Sequence, residues 1–278
     1  MNPPEIIVGV DGSPASATAL RWAAIAAERH HADLVVLNAY APHLPAFQEV
    51  ADAIVDGAVN DARRVAPGLV VRGRSLHGRP VATLIDATRH GATIVLGHRG
   101  RGGFGRLLLG SVSQQVATHA SGSVVIVRGR SDRTGPVLVG VDDTDAGAYA
   151  LGVAFEEAVV RGTGVVAVRA YPAVESAWGM DVAPLLADAH EQQEILDVDV
   201  APWTDKYPEV AVETQAVQGS PVEILLERSR TAQLVVVGTR GHGGFAGLLL
   251  GSVGQQLLVH SDAPVLIARA FAGPRRRF

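Results

Sequence analysis

Short runs of β-branched and aliphatic residues alternate along the chain with longer stretches in which apolar positions recur every three or four residues. That alternation predicts βαβ units around a parallel sheet. In the first half the runs predict strands over residues 5–10, 33–39, 69–75, 93–96 and 123–127, with helices in the gaps. The third helix shows the clearest face, with Val81, Leu84, Ile85 and Thr88 at the i, i+3, i+4, i+7 spacing. The pattern then starts again. Five more strands follow, the last over residues 264–268, and the matching helix carries Val222, Leu225, Leu226 and Ser229.

The repetition extends to the residues themselves. Ile6-Ile7-Val8-Gly9-Val10-Asp11 returns as Val137-Leu138-Val139-Gly140-Val141-Asp142, at an offset of 131. The stretch from Gly97 through Gly110, Ser111 and Val112 returns from Gly238 through Gly251, Ser252 and Val253, at an offset of 141. The second copy therefore holds ten extra residues between its second and third strands. Two domains are expected, residues 1–130 and 136–272, joined by the polar linker 131–135 and followed by a basic tail, 273–278. The expected fold class is α/β: two tandem doubly wound five-stranded parallel sheets of order 3-2-1-4-5 with helices on both faces. Right-handed crossovers must reverse direction once to cover both faces. That order sets strand one beside strand four, and ligands of open α/β sheets bind at such a switch point, beyond the carboxyl ends of the strands. Asp11 ends strand one and Gly97 ends strand four, so the two most strongly repeated features converge on one crevice.

Composition removes several alternatives. Across 278 residues there is no cysteine, which excludes disulfides, thiolate metal sites and thiol catalysis. A net charge of −4 gives no reason to expect a nucleic-acid partner, since phosphate-backbone binders carry a basic excess on one face. The only basic run, Arg275-Arg276-Arg277, reads as a solvated tail. No apolar run reaches the roughly 20 residues needed to cross a bilayer, and the first residues read as a strand and not as a secretion signal. A cytoplasmic protein without a membrane partner is expected. The single lysine, Lys206, follows no glycine loop, so a Walker-type P-loop is absent.

The segments from Gly97 to Ser111 and from Gly238 to Ser252 share the form G-x(2)-G-x(9)-G-S, each after a buried strand and before a helix. They agree at 14 of 19 positions counted from Gly97 to Gln115. Glycines remove the side chains that would hold a phosphate away from backbone N–H groups, and the first turn of a helix attracts anions. Ser111 and Ser252 are expected as N-caps. Arg99 and Arg240 could neutralise phosphate charge. One anion at a helix terminus contributes about 0.3 to 2 kcal/mol, whereas micromolar affinity requires about 8 kcal/mol. Several amides, a hydroxyl, sugar contacts and base burial must therefore act together.

This spacing, with Val8-Gly9-Val10-Asp11-Gly12-Ser13-Pro14 at the end of strand one, resembles the ATP-binding class of the universal stress protein family, and the likeness covers both halves. The resemblance implies one ATP site per half. In the first half the glycines Gly97, Gly100 and Gly110 with Ser111 would cradle the phosphates; in the second half Gly238, Gly241, Gly251 and Ser252 would do so. Asp11 and Asp142 would hold the ribose or orient a metal-bound phosphate, and Ala39 and Ala170 would offer backbone groups to adenine. It also implies pairing through the edges of strand five, first between the two halves as an intrachain pseudo-dimer and then between two chains as a homodimer. Gly97→Asp is expected to abolish nucleotide retention in the first site without unfolding the sheet.

The second copy departs from the pattern, since Gly12-Ser13-Pro14 becomes Asp143-Thr144-Asp145. Two added carboxylates would weaken ATP there or recruit Mg2+, so the first site is expected to bind more tightly. No catalytic residue and no protein-built metal site is expected: there is no HExxH, no G-x-S-x-G elbow, and His30-His31 reads as a helix end resting on final carbonyls. Trp22, Trp178 and Trp203 read as packing residues. The expected function is a stress-response regulator that signals through ATP occupancy. The alternatives are a slow ATPase or an α-phosphate hydrolase or transferase, and a non-binding interaction module.

Overall fold

The computed structural model describes residues 5–41, 44–100, 109–171, 189–239 and 250–270. The first half runs β1 (Glu5–Gly9), α1 (Pro14–Arg29), β2 (Asp33–Tyr40), α2 (Pro45–Val65), β3 (Val71–His77), α3 (Pro80–Ala87), β4 (Thr93–Gly97), α4 (Ser111–His119) and β5 (Val124–Val127). The second half repeats it as β6 (Val137–Gly140), α5 (Asp145–Arg161), β7 (Val165–Tyr171), α6 (Ala189–Lys206), β8 (Val212–Gln218), α7 (Pro221–Arg228), β9 (Leu234–Gly238), α8 (Ser252–His260) and β10 (Val265–Ala268). Each half has the expected order, and the two sheets merge edge to edge into one of ten strands, β3-β2-β1-β4-β5-β10-β9-β6-β7-β8. Among the described helices none is long and apolar enough to cross a membrane.

Alternation along each strand divides the apolar side chains between two faces. Ile6 and Val8 join a core built with α1, α2, α5 and α6, whereas Ile7 joins a core that includes Leu84, Val116, Leu225 and Leu257 from α3, α4, α7 and α8. Both cores run unbroken across the boundary between the halves. The third strand begins two residues later than its sequence predicts. Leu69 N donates to Ala66 O in the turn that ends α2, and Leu69 packs against the core from outside the ladder. Tyr40 and Tyr171 end equivalent strands, so the ten extra residues fall between β7 and β8.

The halves join along β5 and β10, which pair antiparallel with Val125 opposite Leu266. Because each strand-five edge is consumed by the other, none remains for a second chain, which corrects the expectation of a homodimer through those edges. The joint is locally two-fold. Arg128 Nη1 donates to Leu258 O at 2.6 Å, and the equivalent Arg269 Nη2 donates to Ala117 O at 2.7 Å, each closing the end of the other half's helix. Burial draws the Arg269 pKa down to about 10.

On one face α1 and α5 meet through His30, whose Nε2 lies 3.0 Å from Glu157 Oε1, while Arg161 Nε donates to Glu157 Oε2 at 2.8 Å. The expected contact of His30 with helix-end carbonyls is replaced by this cross-half pair, because the neighbouring half supplies a buried carboxylate. Burial alone would raise the Glu157 pKa; the hydrogen bond from His30 and the charge of Arg161 outweigh it and hold the pKa down. Arg161 in turn lies 5.3 Å above the buried Trp22 ring. Trp203 stacks with Phe155 and Tyr207, and Lys206 Nζ sits over Trp203 and Tyr207, so the one lysine serves aromatic packing. Trp178 lies outside the described residues.

Candidate functional site

The crevice of the first half is built where β1 and β4 end side by side. Val10 N donates to Leu37 O at 2.9 Å, carrying the chain one step past β1 to Asp11. There the backbone turns. Asp11 Oδ1 accepts from Ser13 N at 3.0 Å, Gly12 takes the left-handed φ of 77°, and Ser13 Oγ accepts from Ser16 N at 3.2 Å to cap α1. Asn38 Nδ2 donates to Val10 O at 2.6 Å and fixes the turn against β2, next to Ala39.

The glycines permit close approach from the β4 side. A Cβ at Gly97 would stand 2.7 Å from the Ala15 carbonyl carbon, and one at Gly100 would stand 2.5 Å from Asp11 Oδ2. The start of α4 packs onto the same segment: Gly110 N donates to His98 O at 2.8 Å, and a Cβ at Gly110 would lie 3.7 Å from Gly100 N. Asp11, Gly97, Arg99, Gly100, Gly110 and Ser111 therefore come together, with Ala39 one strand away. The Cβ distance at Gly97 also corrects the expected outcome of Gly97→Asp. Any side chain there meets the α1 backbone, so that variant disturbs structure as well as charge.

Caps separate the helices that begin at the crevice. Ser13 and Thr144 cap α1 and α5 with their side chains, but α4 and α8 have no side-chain cap. Gly110 and Gly251 hold the N-cap positions, one residue earlier than expected, and Ser111 and Ser252 are the first helical residues. The first amide of α4 bonded within the helix is Gln114 N, to Gly110 O, which leaves the first-turn donors without intrahelical partners. Arg99 Nε is buried and has no hydrogen-bond partner among the described residues. His98 beside it has a lowered pKa, through burial first and then the charges of Arg128 and Arg99. First-turn amides without intrahelical partners, and a guanidinium nitrogen without a partner among the described residues, suit an anion.

In the second half Asp142, Gly238, Gly251, Ser252 and Ala170 occupy the equivalent places, while Arg240 and Gly241 lie outside the described residues. A Cβ at Gly238 would stand 2.6 Å from Ala146 O, and Gly251 N donates to Thr239 O at 2.8 Å, as in the first half. Asp142 Oδ1 accepts from Thr144 N at 3.2 Å and from Thr144 Oγ1 at 2.5 Å. The difference lies at the turn. Asp143 replaces Gly12, Arg169 replaces Asn38, and Arg169 Nη2 donates to Asp143 Oδ1 at 2.9 Å. Arg169 is itself buried and held by Gln192 Oε1 at 2.9 Å. One of the two added carboxylates is thus neutralised, and the other, Asp145, opens α5, where the helix dipole favours it. No cluster of three metal-ligating side chains occurs among the described residues.

Asn38, Arg169 and Ser113, which donates to Gly97 O at 2.7 Å, are the residues that the motif alone does not pick out. The paired exchange of Gly12 with Asp143 and Asn38 with Arg169 between the copies was the available signal.

The model of the universal stress protein family matches residues 4–128 and again 134–269. A universal stress protein of Mycolicibacterium smegmatis is 35% identical over 95% of this chain and 96% of its own length. Universal stress protein Rv1996 of Mycobacterium tuberculosis is 37% identical over 95% and 94%. A solved universal stress protein from Archaeoglobus fulgidus shares the fold at a TM-score of 0.69 and 18% identity, over 96% of this chain and 97% of that one.

Proposed function

The chain belongs to the universal stress protein family, and from that premise we propose that each half holds one ATP and that occupancy, not rapid turnover, is the signal. The observation that carries this reading is the uncapped first turn of α4, packed against Arg99 and Gly100, which in turn abuts Asp11. A triphosphate would lie along those amides with Arg99 Nε as an added donor. The Asp11 carboxylate would meet the ribose or a phosphate-bound Mg2+, and the main chain at Ala39 would meet adenine. The second site would use Asp142, Ala170, Gly238, Gly251 and Ser252 in the same way, with Arg240 and Gly241 completing its loop.

The residues at hand support slow turnover. Lys206 is engaged with Trp203 and Tyr207. The carboxylate at the crevice has its Oδ1 committed to Ser13 N and so is a weak candidate for a general base. Bound ATP would shape the surface around α4 and α8, whose far ends reach across the joint to Arg269 and Arg128. Mass spectrometry of small molecules released from freshly purified protein tests the reading. ATP should be recovered; protein that neither carries ATP nor takes it up when soaked would refute it.

A further inference from the structure

The two-fold relation between the halves creates two equivalent grooves beside the joint, and a connecting segment, the linker, walls only one of them among the described residues. The linker 131–135 forms one wall of the first, leaving a space of about 400 Å³ between the end of α1 and the β6 side of the second half. It is anchored at Gly135, whose carbonyl accepts from Thr163 Oγ1 at 2.8 Å and from Gln233 Nε2 at 2.5 Å. The second groove, about 600 Å³, lies between α5 and the β1 side of the first half. The positions equivalent to Thr163 and Gln233 are Ala32 and Ala92, and both line it.

The linker leaves β5 just after Arg128. By the same symmetry the C-terminal residues leave β10 just after Arg269, whose N donates to Ser123 Oγ at 3.2 Å, and Ser123 lines the second groove. Residues 271–278, outside the described residues, read Phe-Ala-Gly-Pro-Arg-Arg-Arg-Phe. Eight residues reach up to about 26 Å when extended, enough to cross such a groove. Charge favours the match. Four carboxylates line the groove: Asp33 is paired with Arg72, and Glu157 with His30 and Arg161, whereas Glu5 and Glu156 have no ion pair among the described residues. Trp22 and Tyr149 add aromatic wall, suited to stacking by guanidinium groups.

We propose that the arginine tail of this chain, residues 271–278, docks in the acid-lined groove between α5 and the first half, as the counterpart of the linker. Docked there, it straps the two halves on the side that the linker leaves open. Arg276 holds the position equivalent to Gly135, so it should lie beside Ala92.

The absence of native cysteine allows a direct test in the full chain. Ala92→Cys with Arg276→Cys should close an intrachain disulfide at least tenfold faster than Val198→Cys with Arg276→Cys, Val198 being exposed on α6. Closure should slow severalfold when Glu156→Lys is added, or when salt is raised to about 0.5 M to screen the charges. Peptide mapping by mass spectrometry reads both rates, and circular dichroism checks that every variant is folded. Closure no faster than in the Val198 control, closure indifferent to both Glu156→Lys and salt, or a disulfide formed between chains would overturn the proposal.

Discussion

The two crevices share a plan and differ at one turn. In the first, Gly12 bends in a conformation that side chains disfavour, and Asn38 ties the turn to β2. In the second, the left-handed bend is gone and an Arg169–Asp143 ion pair does the tying, with Arg169 anchored to α6. A duplicated site can therefore replace backbone freedom with charge at nearly constant net charge. What changes is the chemistry of the turn. In the first crevice Gly12 and Asn38 are neutral, and in the second their places are taken by a carboxylate half in solvent and a buried guanidinium.

The largest effect that separates the sites should come from the helix caps. Gly110 and Gly251 have extended N-cap dihedrals that aspartate adopts readily, so Gly110→Asp and Gly251→Asp should keep or improve the helix while placing a carboxylate at the proposed phosphate site. Each should weaken ATP in its own half by about a hundredfold, since like-charge juxtaposition costs several kcal/mol, and leave the other half unchanged in calorimetric titration. Next comes the shared joint. Glu157→Ala strands His30 and Arg161 and should cost about 3 to 5 kcal/mol in chemical denaturation, reducing ATP affinity in both halves together if it reduces it at all. An effect on one site alone would mean that the crevices are not coupled through the joint.

The turn itself should give a smaller, signed effect. Removing Asp143 with Asp143→Gly should strengthen the second site by about tenfold, or about 1.4 kcal/mol, because Arg169 keeps its charge. Arg169→Asn should weaken it, because Asp143 is then uncompensated. Equal signs for the two would contradict the ion-pair account. The smallest effect is on pH. The Glu157 pKa is lowered in the fold, so its contribution is complete above the ordinary carboxylate value near 4.3 and declines as pH falls through the lower native value. Stability should be insensitive to this group from pH 7 to about 5 and fall below that, and Glu157→Gln should flatten the acid limb of a thermal-melt series.

Much of this was legible in the sequence because period and repetition both bear on it. Buried strands such as Ile94-Val95-Leu96, and the offset that carries Asp11 onto Asp142, place the sheets and their switch points. The caps differ from the sequence pattern by one residue, because serine is a good N-cap in general and only the observed dihedrals assign that place to Gly110. The partner of His30 lies 127 residues away on α5, beyond any local pattern. The pairing of the two strand-five edges within the chain agrees with the family resemblance, and the same pairing leaves neither edge for the expected homodimer.

The central claim is that two glycine-lined crevices each hold one nucleotide, the first more tightly. Native mass spectrometry during an ATP titration of the wild-type chain, Gly110→Asp and Gly251→Asp counts occupancy directly. Two ATP per wild-type chain are predicted, with Gly251→Asp retaining the tighter one and Gly110→Asp the weaker. A wild-type chain that stays empty, or variants that both still fill two sites with unchanged affinity, would contradict it.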